Sequence, residues 1–236
     1  ITGIVSLRGN GRFIDFNSFE IEKINYILEN YVIYDNYSTK SEFFQYIGAI
    51  DTNIVTLAQP IDDAVVTDAR IATLNRWAEE YTKEDIINEL NVVCGHGESR
   101  NPILRIIDKP TRLEFLTSVA LKQHFVGLNV LPNYHVDDEG LPTFTASGGV
   151  ADIECYDTDC NSLVEVTLMC ARNQATNEMP AITRHLQEAI EQQPNITMFS
   201  MLVAPSIHAD TKYMAAFSKH QYNVDILTFT IIEFIN

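Results

Sequence analysis

Two acidic residues on adjacent predicted strands, Asp152 and Glu165, are the strongest candidates for chemistry in this chain. A polar turn over residues 157–161 separates the strands and would bring the two carboxylates side by side at the sheet edge. Phosphodiester hydrolysis needs an activated water and neutralised phosphoryl charge, and a divalent metal held by carboxylates supplies both. Glu165 lies in the apolar run Leu163–Val166, where a charge is costly unless it is paired. The pattern favours a metal-dependent phosphodiesterase, with a buried glutamate in an ordinary hydrogen-bond network as the alternative.

The elements around these acids predict a mixed sheet flanked by helices, an α/β (α+β) fold. The run 162–169 is apolar on both faces, which is typical of a central strand. Pro180 suits the first turn of a helix over Met179–Gln192. The other expected elements are helices at 111–122 and 208–220 and strands at 129–134, 142–144, 150–156, 197–204 and 224–229. We assign residues 106–236 to this domain.

The N-terminal part contains no chemical motif. Residues 1–16 alternate around an Asn10-Gly11 turn, which predicts a β-hairpin with Arg8 and Arg12 at its tip. Such a hairpin resembles the wing that ends a winged-helix DNA-binding domain, although a plain terminal hairpin fits equally. Residues 17–105 read as a helical connector. We expect a first helix with Ser18 as its N-cap and a second helix over Ser41–Ile47. A third helical pattern covers residues 67–91, and Thr82 would cap its short last segment, Lys83–Leu90.

The composition sets limits on partners. The chain has 236 residues, with 32 acidic against 16 basic side chains and a net charge of −16, which by itself argues against binding nucleic acid. If the chain is a nuclease despite this charge, then either a metal ion neutralises the clustered carboxylates or a basic DNA-binding surface lies in an upstream part of the protein. The chain opens within a predicted strand and without Met, so we expect a missing N-terminal part. The acidic turn at 137–139 is expected to be exposed, and the four cysteines are expected to be free thiols.

Four segments between Leu113 and Leu186 carry a resemblance to a known family. With the family's pattern in parentheses, they are Leu113–Thr117 (FEWLT), Val150–Glu154 (PDMEI), Val164–Thr167 (GEVTT) and Glu178–His185 (E-x-P-V-T-R-H). Upstream, Thr2-Gly3 and Arg8-Gly9-Asn10 resemble the TG…RGN hairpin that closes the family's recognition region. The chain thus resembles the AlwI-type IIS restriction endonucleases and the related BstNBI-type nicking endonucleases, of the PD-(D/E)XK nuclease superfamily.

The resemblance implies a role for each matching residue. Asp152, Glu165 and Glu114 would be metal ligands, and Glu178 would help to position water or metal, so that all four acids are catalytic. The cofactor would be Mg²⁺ or Mn²⁺. Thr167 stands where the wider superfamily has a lysine, as it does in the family, which leaves open what stabilises the attacking hydroxide. Arg184 and His185 are the candidates for that role, with surface helix positions as the alternative.

The function implied is the cleavage part of a type IIS restriction or nicking endodeoxyribonuclease in a prokaryotic cytoplasm. It would cut double-stranded DNA at a fixed offset from an asymmetric site that the missing N-terminal part recognises. A transient dimer or a small subunit would serve second-strand cleavage, and no membrane partner is expected. The alternatives are a catalytically silent DNA-binding or interaction subunit, or another PD-(D/E)XK repair nuclease. An arginine paired with Asp152 or Glu165 would favour the silent subunit.

Overall fold

The elements of the fold come from a computed structural model, which describes residues 3–8, 12–32, 36–55, 57, 63–95 and 97–235. The helices described are α1 (Ile21–Asn30), α2 (Lys40–Val55), α3 (Asp63–Glu80), α4 (Lys83–Cys94), α5 (Lys109–His124), α6 (Asn173–Asn177), α7 (Met179–Gln192), α8 (Ala209–Tyr222) and α9 (Ile231–Ile235). The strands are β1 (Val5–Arg8), β2 (Phe13–Phe16), β3 (Asn129–Pro132), β4 (His135–Val136), β5 (Pro142–Phe144), β6 (Ile153–Tyr156), β7 (Cys160–Val166), β8 (Thr197–Ala204) and β9 (Ile226–Thr230). Among the described helices, none is long and apolar enough to cross a membrane.

A five-stranded mixed sheet forms the centre of the molecule, in the order β3-β6-β7-β8-β9. Strands β3, β6 and β7 pair antiparallel, whereas β7, β8 and β9 pair parallel. Strand β7 therefore has neighbours on both sides, as its apolar sequence predicts, and a central strand supplies Glu165. The pairs β1–β2 and β4–β5 form two small antiparallel sheets of their own.

Each face of the sheet is covered by its own hydrophobic core. Val164 points to the face packed by α3, α4 and α5, where Trp77 and Leu116 are fully buried. Leu163, one residue earlier, points to the opposite core with Leu186 of α7. Helices α3 and α4 fall in the range expected to be a connector, and they share the core with the sheet. The sheet is thus held rigidly between two helical layers.

Element boundaries agree best where chemistry marks them. Helix α7 and strand β8 have the predicted bounds, and Thr82 caps α4 through a reciprocal capping box with Asp85. The first helical turn is capped by Asn17 and not by Ser18, because the Asn17 side chain accepts from the Phe19 amide. Strand β6 begins at Ile153, later than expected, so Asp152 precedes the strand. The Asn10-Gly11 turn lies outside the described residues, although β1 and β2 pair antiparallel as predicted.

The expectation of an exposed acidic turn is wrong for Asp137, which is buried. Its Oδ1 accepts from the amides of Glu139 and Leu141, so the carboxylate forms the inside of the turn. Arg8 of β1 reaches into the same turn, with Nη1 3.2 Å from Asp137 Oδ2 and 3.4 Å from Glu139, and it also pairs with Asp138. One of the two arginines expected to project from the hairpin tip is therefore bound to the protein's own acids.

Gly140 closes this turn against α3. Its φ of +76° is left-handed, and a Cβ there would meet Ala69 O at 2.2 Å and Thr73 Oγ1 at 2.6 Å. Thr73 Oγ1 also donates to Glu139 O at 3.0 Å, so the turn packs against the helix with no room for a side chain at residue 140. The turn can lie this close to α3 only because residue 140 has no side chain.

We predict that Gly140→Ala lowers the free energy of unfolding by about 2–4 kcal/mol, because it adds a backbone clash to the left-handed strain. Gly127→Ala is the matched control, since Gly127 has a φ of +92° with no atom within 4 Å of the added Cβ. It should cost only about 1 kcal/mol. Urea unfolding of both variants measures the difference, and equal losses would show that the contact with α3 is unimportant.

Candidate active site

Asp152 lies at the start of β6, directly opposite Glu165. The register pairs Ile153 with Val164, and one step outward along both strands sets Asp152 against Glu165. The Val166 amide donates to Asp152 Oδ2 at 2.8 Å, and the Asn133 amide donates to Asp152 O at 2.9 Å. Hydrogen bonds from both flanking segments therefore fix Asp152, although it is outside the strand proper.

Glu114 approaches the same region from α5. Its side chain is buried, and Oε2 accepts from the Ala146 amide at 2.9 Å. Glu114 and Asp152 both line an open pocket of about 400 Å³. The rest of the pocket wall comes from the first turns of α5, the segment before β6 and the segment after β7: Pro110, Leu113, Thr145, Ala146, Val166, Thr167, Leu168 and Met169. A solvent-connected cavity thus borders two of the four predicted acids.

Glu165 has a histidine partner. The His185 ring of α7 donates from Nδ1 to Glu165 Oε1 at 2.8 Å, and both side chains are almost fully buried. The other ring nitrogen, Nε2, has a long contact of 3.5 Å with Arg184 Nη2. The half-exposed Arg184 side chain itself extends along α7 to Glu188, at 3.9 Å. Neither Asp152 nor Glu165 is paired with an arginine among the described residues.

Thr167 and Glu178 form a second hydrogen-bonded pair at the end of β7. Thr167 Oγ1 donates to Glu178 Oε1 at 2.8 Å and accepts from the Met169 amide at 3.0 Å. Thr167 thus fixes the carboxylate of Glu178, and its place at the position of the superfamily lysine stays a prediction. The following segment contains Ala171, whose φ of 62° is unusual for a residue with a side chain.

The four acids share one electrostatic environment. Burial, opposed by the hydrogen bond from Ala146 and joined by repulsion from Asp108 and Glu165, raises the pKa of Glu114 to about 7. Burial likewise raises the pKa of Asp152 well above its ordinary value, and Glu165, Glu114 and Glu178 add to the rise. Each charge therefore makes the next one more costly, as at other sites where like charges are crowded.

The donor set fits a hard divalent cation in its chemistry. Carboxylate oxygens are the ligands that Mg²⁺ prefers, and a cation would relieve the repulsion between Glu114, Asp152 and Glu165. Within the described residues, however, no three Asp, Glu, His or Cys side chains stand close enough together to hold a metal ion. The acids are gathered within electrostatic range without forming a complete ligand set, so the prediction that Asp152 and Glu165 share one ion stays a prediction.

Comparison with known proteins bears on the family and the fold. The profile of the AlwI restriction endonuclease family matches residues 70–236, which is most of the chain and includes all four acids. The chain belongs to this family. The resemblance predicted from the four segments is thereby confirmed.

A solved restriction endonuclease subunit has a similar fold. The small subunit of the heterodimeric restriction endonuclease R.BspD6I aligns with a TM-score of 0.51 at 25% identity, over 63% of this chain and 72% of that one. Restriction endonuclease FokI aligns with a TM-score of 0.42 at 12% identity, over 66% of this chain and 30% of that one. A search of curated proteins gives no significant match. The predicted restriction-endonuclease-like core, a mixed sheet flanked by helices, is confirmed.

Sequence reasoning missed two residues that hold the site of this family member in place. Asn133 donates from its amide side chain to Ala151 O at 2.8 Å and to Glu154 Oε1 at 3.0 Å, and Tyr156 donates to Glu154 as well. Gln174, fully buried, donates to Met169 O at 3.0 Å and so anchors the segment after β7. Both are neutral amides outside any acidic motif, so only the position of Asn133 after a strand and of Gln174 in the short helix α6 could have drawn attention to them.

We predict that Glu114→Gln stabilises the metal-free protein at alkaline pH. The folded-state pKa of about 7 exceeds the ordinary 4.5, so the folded protein holds the proton more tightly than the unfolded chain. Stability is therefore lost as pH rises from about 4.5 through about 7, and Asp152 acts in the same direction. Glutamine stays neutral and can still accept from Ala146. We expect a gain on the order of 1–3 kcal/mol at pH 8 and little gain at pH 5.

Thermal melts in EDTA across this pH range measure the effect. Glu79→Gln is the control. Glu79 is exposed on α3, and the substitution removes one negative charge just as Glu114→Gln does. A gain that does not depend on pH, or one that the control reproduces, would mean that the burial of Glu114 is not its cause.

Proposed function

We propose that this protein is the cleavage part of a type IIS restriction or nicking endonuclease, which hydrolyses DNA phosphodiesters with Mg²⁺. In this proposal it cuts at a fixed offset from an asymmetric site that an N-terminal part recognises. The observation that carries the proposal is the clustering of Glu114, Asp152, Glu165 and Glu178 around one end of β7 in a member of a restriction endonuclease family. A buried, mutually repelling set of acids lowers stability, which favours a functional reason for keeping it.

Asp152, Glu165 and Glu114 would hold the metal. When bound, the metal supplies charge neutralisation at the phosphate and an activated water. The carboxylates contribute geometry as well as charge, because each has one oxygen already fixed by a partner: the Val166 amide, the His185 ring and the Ala146 amide. Such partners fix the orientation of the ligands, and the two backbone amides also favour the charged carboxylate form that a metal ion needs. The second oxygen of each carboxylate is then the one left for a ligand.

The remaining site residues act on protons and on position. The His185 ring donates from Nδ1 to Glu165, which leaves Nε2 as the ring nitrogen that can contact a water or a phosphate oxygen. Thr167 lines the pocket and holds Glu178 beside it, so Glu178 can orient a water without swinging away. Glu178 and His185 thereby take over tasks that a lysine performs elsewhere in the superfamily, which makes the threonine at position 167 compatible with catalysis.

We predict that Asp152→Asn and Glu165→Gln each lower cleavage of double-stranded DNA by more than about 100-fold, above the 10- to 100-fold that loss of a ligand's partner costs. DNA affinity should change little, because it comes from phosphate and base contacts elsewhere. Single-turnover cleavage in Mg²⁺ and gel shifts in Ca²⁺ measure the two quantities. Thr176→Val, on the exposed side of α6, is a neutral control.

Two results would contradict the proposal. Cleavage by either variant at the wild-type rate would remove that residue from the mechanism. A wild-type protein that binds duplex DNA yet leaves it intact in Mg²⁺ and Mn²⁺ would indicate a catalytically silent subunit instead.

We predict that a double-strand cut needs a second catalytic domain. One such site is built around one scissile phosphate, and the two strands run antiparallel, so a single site would have to release and turn around. The structural neighbour is the small subunit of a heterodimeric enzyme, which supports a separate second subunit or a second copy. The net charge of −16 disfavours self-association without DNA.

Sedimentation of the free protein should give a mass near 26.7 kDa. Second-strand cleavage should rise more steeply than linearly with protein concentration, or should require an added subunit, while first-strand nicking stays linear. Linear second-strand cleavage by the isolated monomer would refute the requirement.

A further inference from the structure

A basic pocket of about 250 Å³ lies beside the N-terminal end of α5. Its lining residues are Gly97, Glu98, Ser99, Arg105, Lys109 and Arg112. The pocket is lined by three basic residues and one acidic residue, whereas acidic residues outnumber basic ones two to one in the whole chain. None of the three cations forms an ion pair within the part of the chain that the structure describes. The pocket is therefore a concentrated positive site on an otherwise acidic protein.

Arg112 forms the floor of this pocket and is the most unusual of the three cations. Its side chain is only 6% exposed, and a single hydrogen bond, from Nη2 to Ile107 O at 2.7 Å, engages the guanidinium. Nε is buried with no partner among the described residues. Glu89 and Asp108 are the acids that act on it electrostatically, both beyond ion-pair distance. A buried guanidinium without a counter-ion is costly, which points to an anion supplied from outside.

The other two cations occupy the rim of the pocket. Arg105 is exposed at the end of the short helical turn Leu104–Ile106, and Lys109 opens α5 with Nζ donating to Gly95 O at 2.7 Å. The lysine bond leaves two ammonium protons for a ligand. The fork-shaped guanidinium of Arg112 at the floor and the cations of Arg105 and Lys109 at the rim suit a tetrahedral anion with several oxygens, such as a phosphate group.

Helix α5 joins this pocket to the candidate active site. Lys109 and Arg112 lie three positions apart on one face, whereas Leu113 and Glu114 line the pocket that contains Asp152. From Lys109 to Glu114 the helix advances by about 8 Å. The two pockets therefore lie within about one and a half turns of each other along the same helix, on different faces of it.

We propose that the Arg105–Lys109–Arg112 pocket binds a backbone phosphate of the DNA close to the phosphate that is cut. The inference rests on the proposed function, because it takes DNA as the substrate. Its effect is to set which phosphodiester reaches the carboxylates, since α5 carries both the gripping cations and Glu114. It also gives an acidic protein one local surface to which the DNA backbone is attracted.

The test compares two double variants with the same change in charge. Arg105→Gln/Lys109→Gln removes the rim cations, and Arg76→Gln/Lys83→Gln removes two exposed cations from α3 and α4 as a matched control. Both variants leave the buried Arg112 and the four acids in place, and circular dichroism checks that they are folded. Fluorescence anisotropy with a labelled DNA duplex, in EDTA and over a series of KCl concentrations, measures affinity without cleavage.

We expect the rim variant to weaken duplex binding by at least about tenfold at low salt. The slope of log affinity against log salt should fall by about 0.9, which corresponds to the one phosphate contact that is lost. The control should change affinity less than about twofold. Cleavage by the rim variant should also spread over neighbouring phosphodiesters, an effect that a loss of stability would not produce.

Other outcomes overturn the proposal. An equal loss in both double variants would show a general charge effect without a site. If inorganic phosphate alone raises the melting temperature of wild type but not of the rim variant, while duplex binding is unchanged, the pocket holds a free anion instead of DNA. If wild type still cleaves DNA and the rim variant binds as well as wild type, only this inference fails. If wild type neither binds nor cleaves duplex DNA, the proposed function fails with it.

Discussion

Repulsion among buried carboxylates is the constraint on which the rest of this structure depends. Glu165 repels both Glu114 and Asp152, and Glu178 adds to the repulsion at Asp152, so burial and nearby charge together raise the pKa of Glu114 and of Asp152. A flexible segment would relieve that strain by turning the side chains outward. The molecule prevents this by setting Glu165 on a central strand and Glu114 on a helix whose neighbours are fully buried. The two hydrophobic cores therefore stabilise the site as well as the fold.

The sequence predicted the elements whose pattern is local and strong. Strand β8 and helix α7 have the expected bounds because an apolar run and an early proline mark them, and the Thr82 cap follows from hydrogen bonds within four residues. The central position of β7 followed from apolar residues on both faces. The grouping of the four acids followed from the family resemblance together with the order of the elements.

The structural features that could not be predicted from the sequence depend on tertiary contacts. Asp137 looked exposed because acidic turns usually are, but Arg8, more than a hundred residues earlier, buries it. The partner of Glu165 could not be identified either, since His185 reaches it only once α7 packs on the sheet. Asn133 holds the segment before β6 by donating to the backbone carbonyl of Ala151, and the residue type alone does not indicate such a contact. Long-range pairing decides each of these cases, and periodicity carries no information about it.

The β6–β7 connection has a further consequence for how such a protein can vary. Residues 157–159 join the two strands at one end, while Asp152 and Glu165 sit at the other end, four strand residues away along β6. That separation is about 13 Å at the usual rise of a strand. The length of this turn matters more than its composition, because turn length sets the β6–β7 register that places Asp152 opposite Glu165. Relatives can therefore differ in the residues of the turn without moving the two acids, whereas an insertion that shifts the register by one residue would turn one of them to the other face of the sheet.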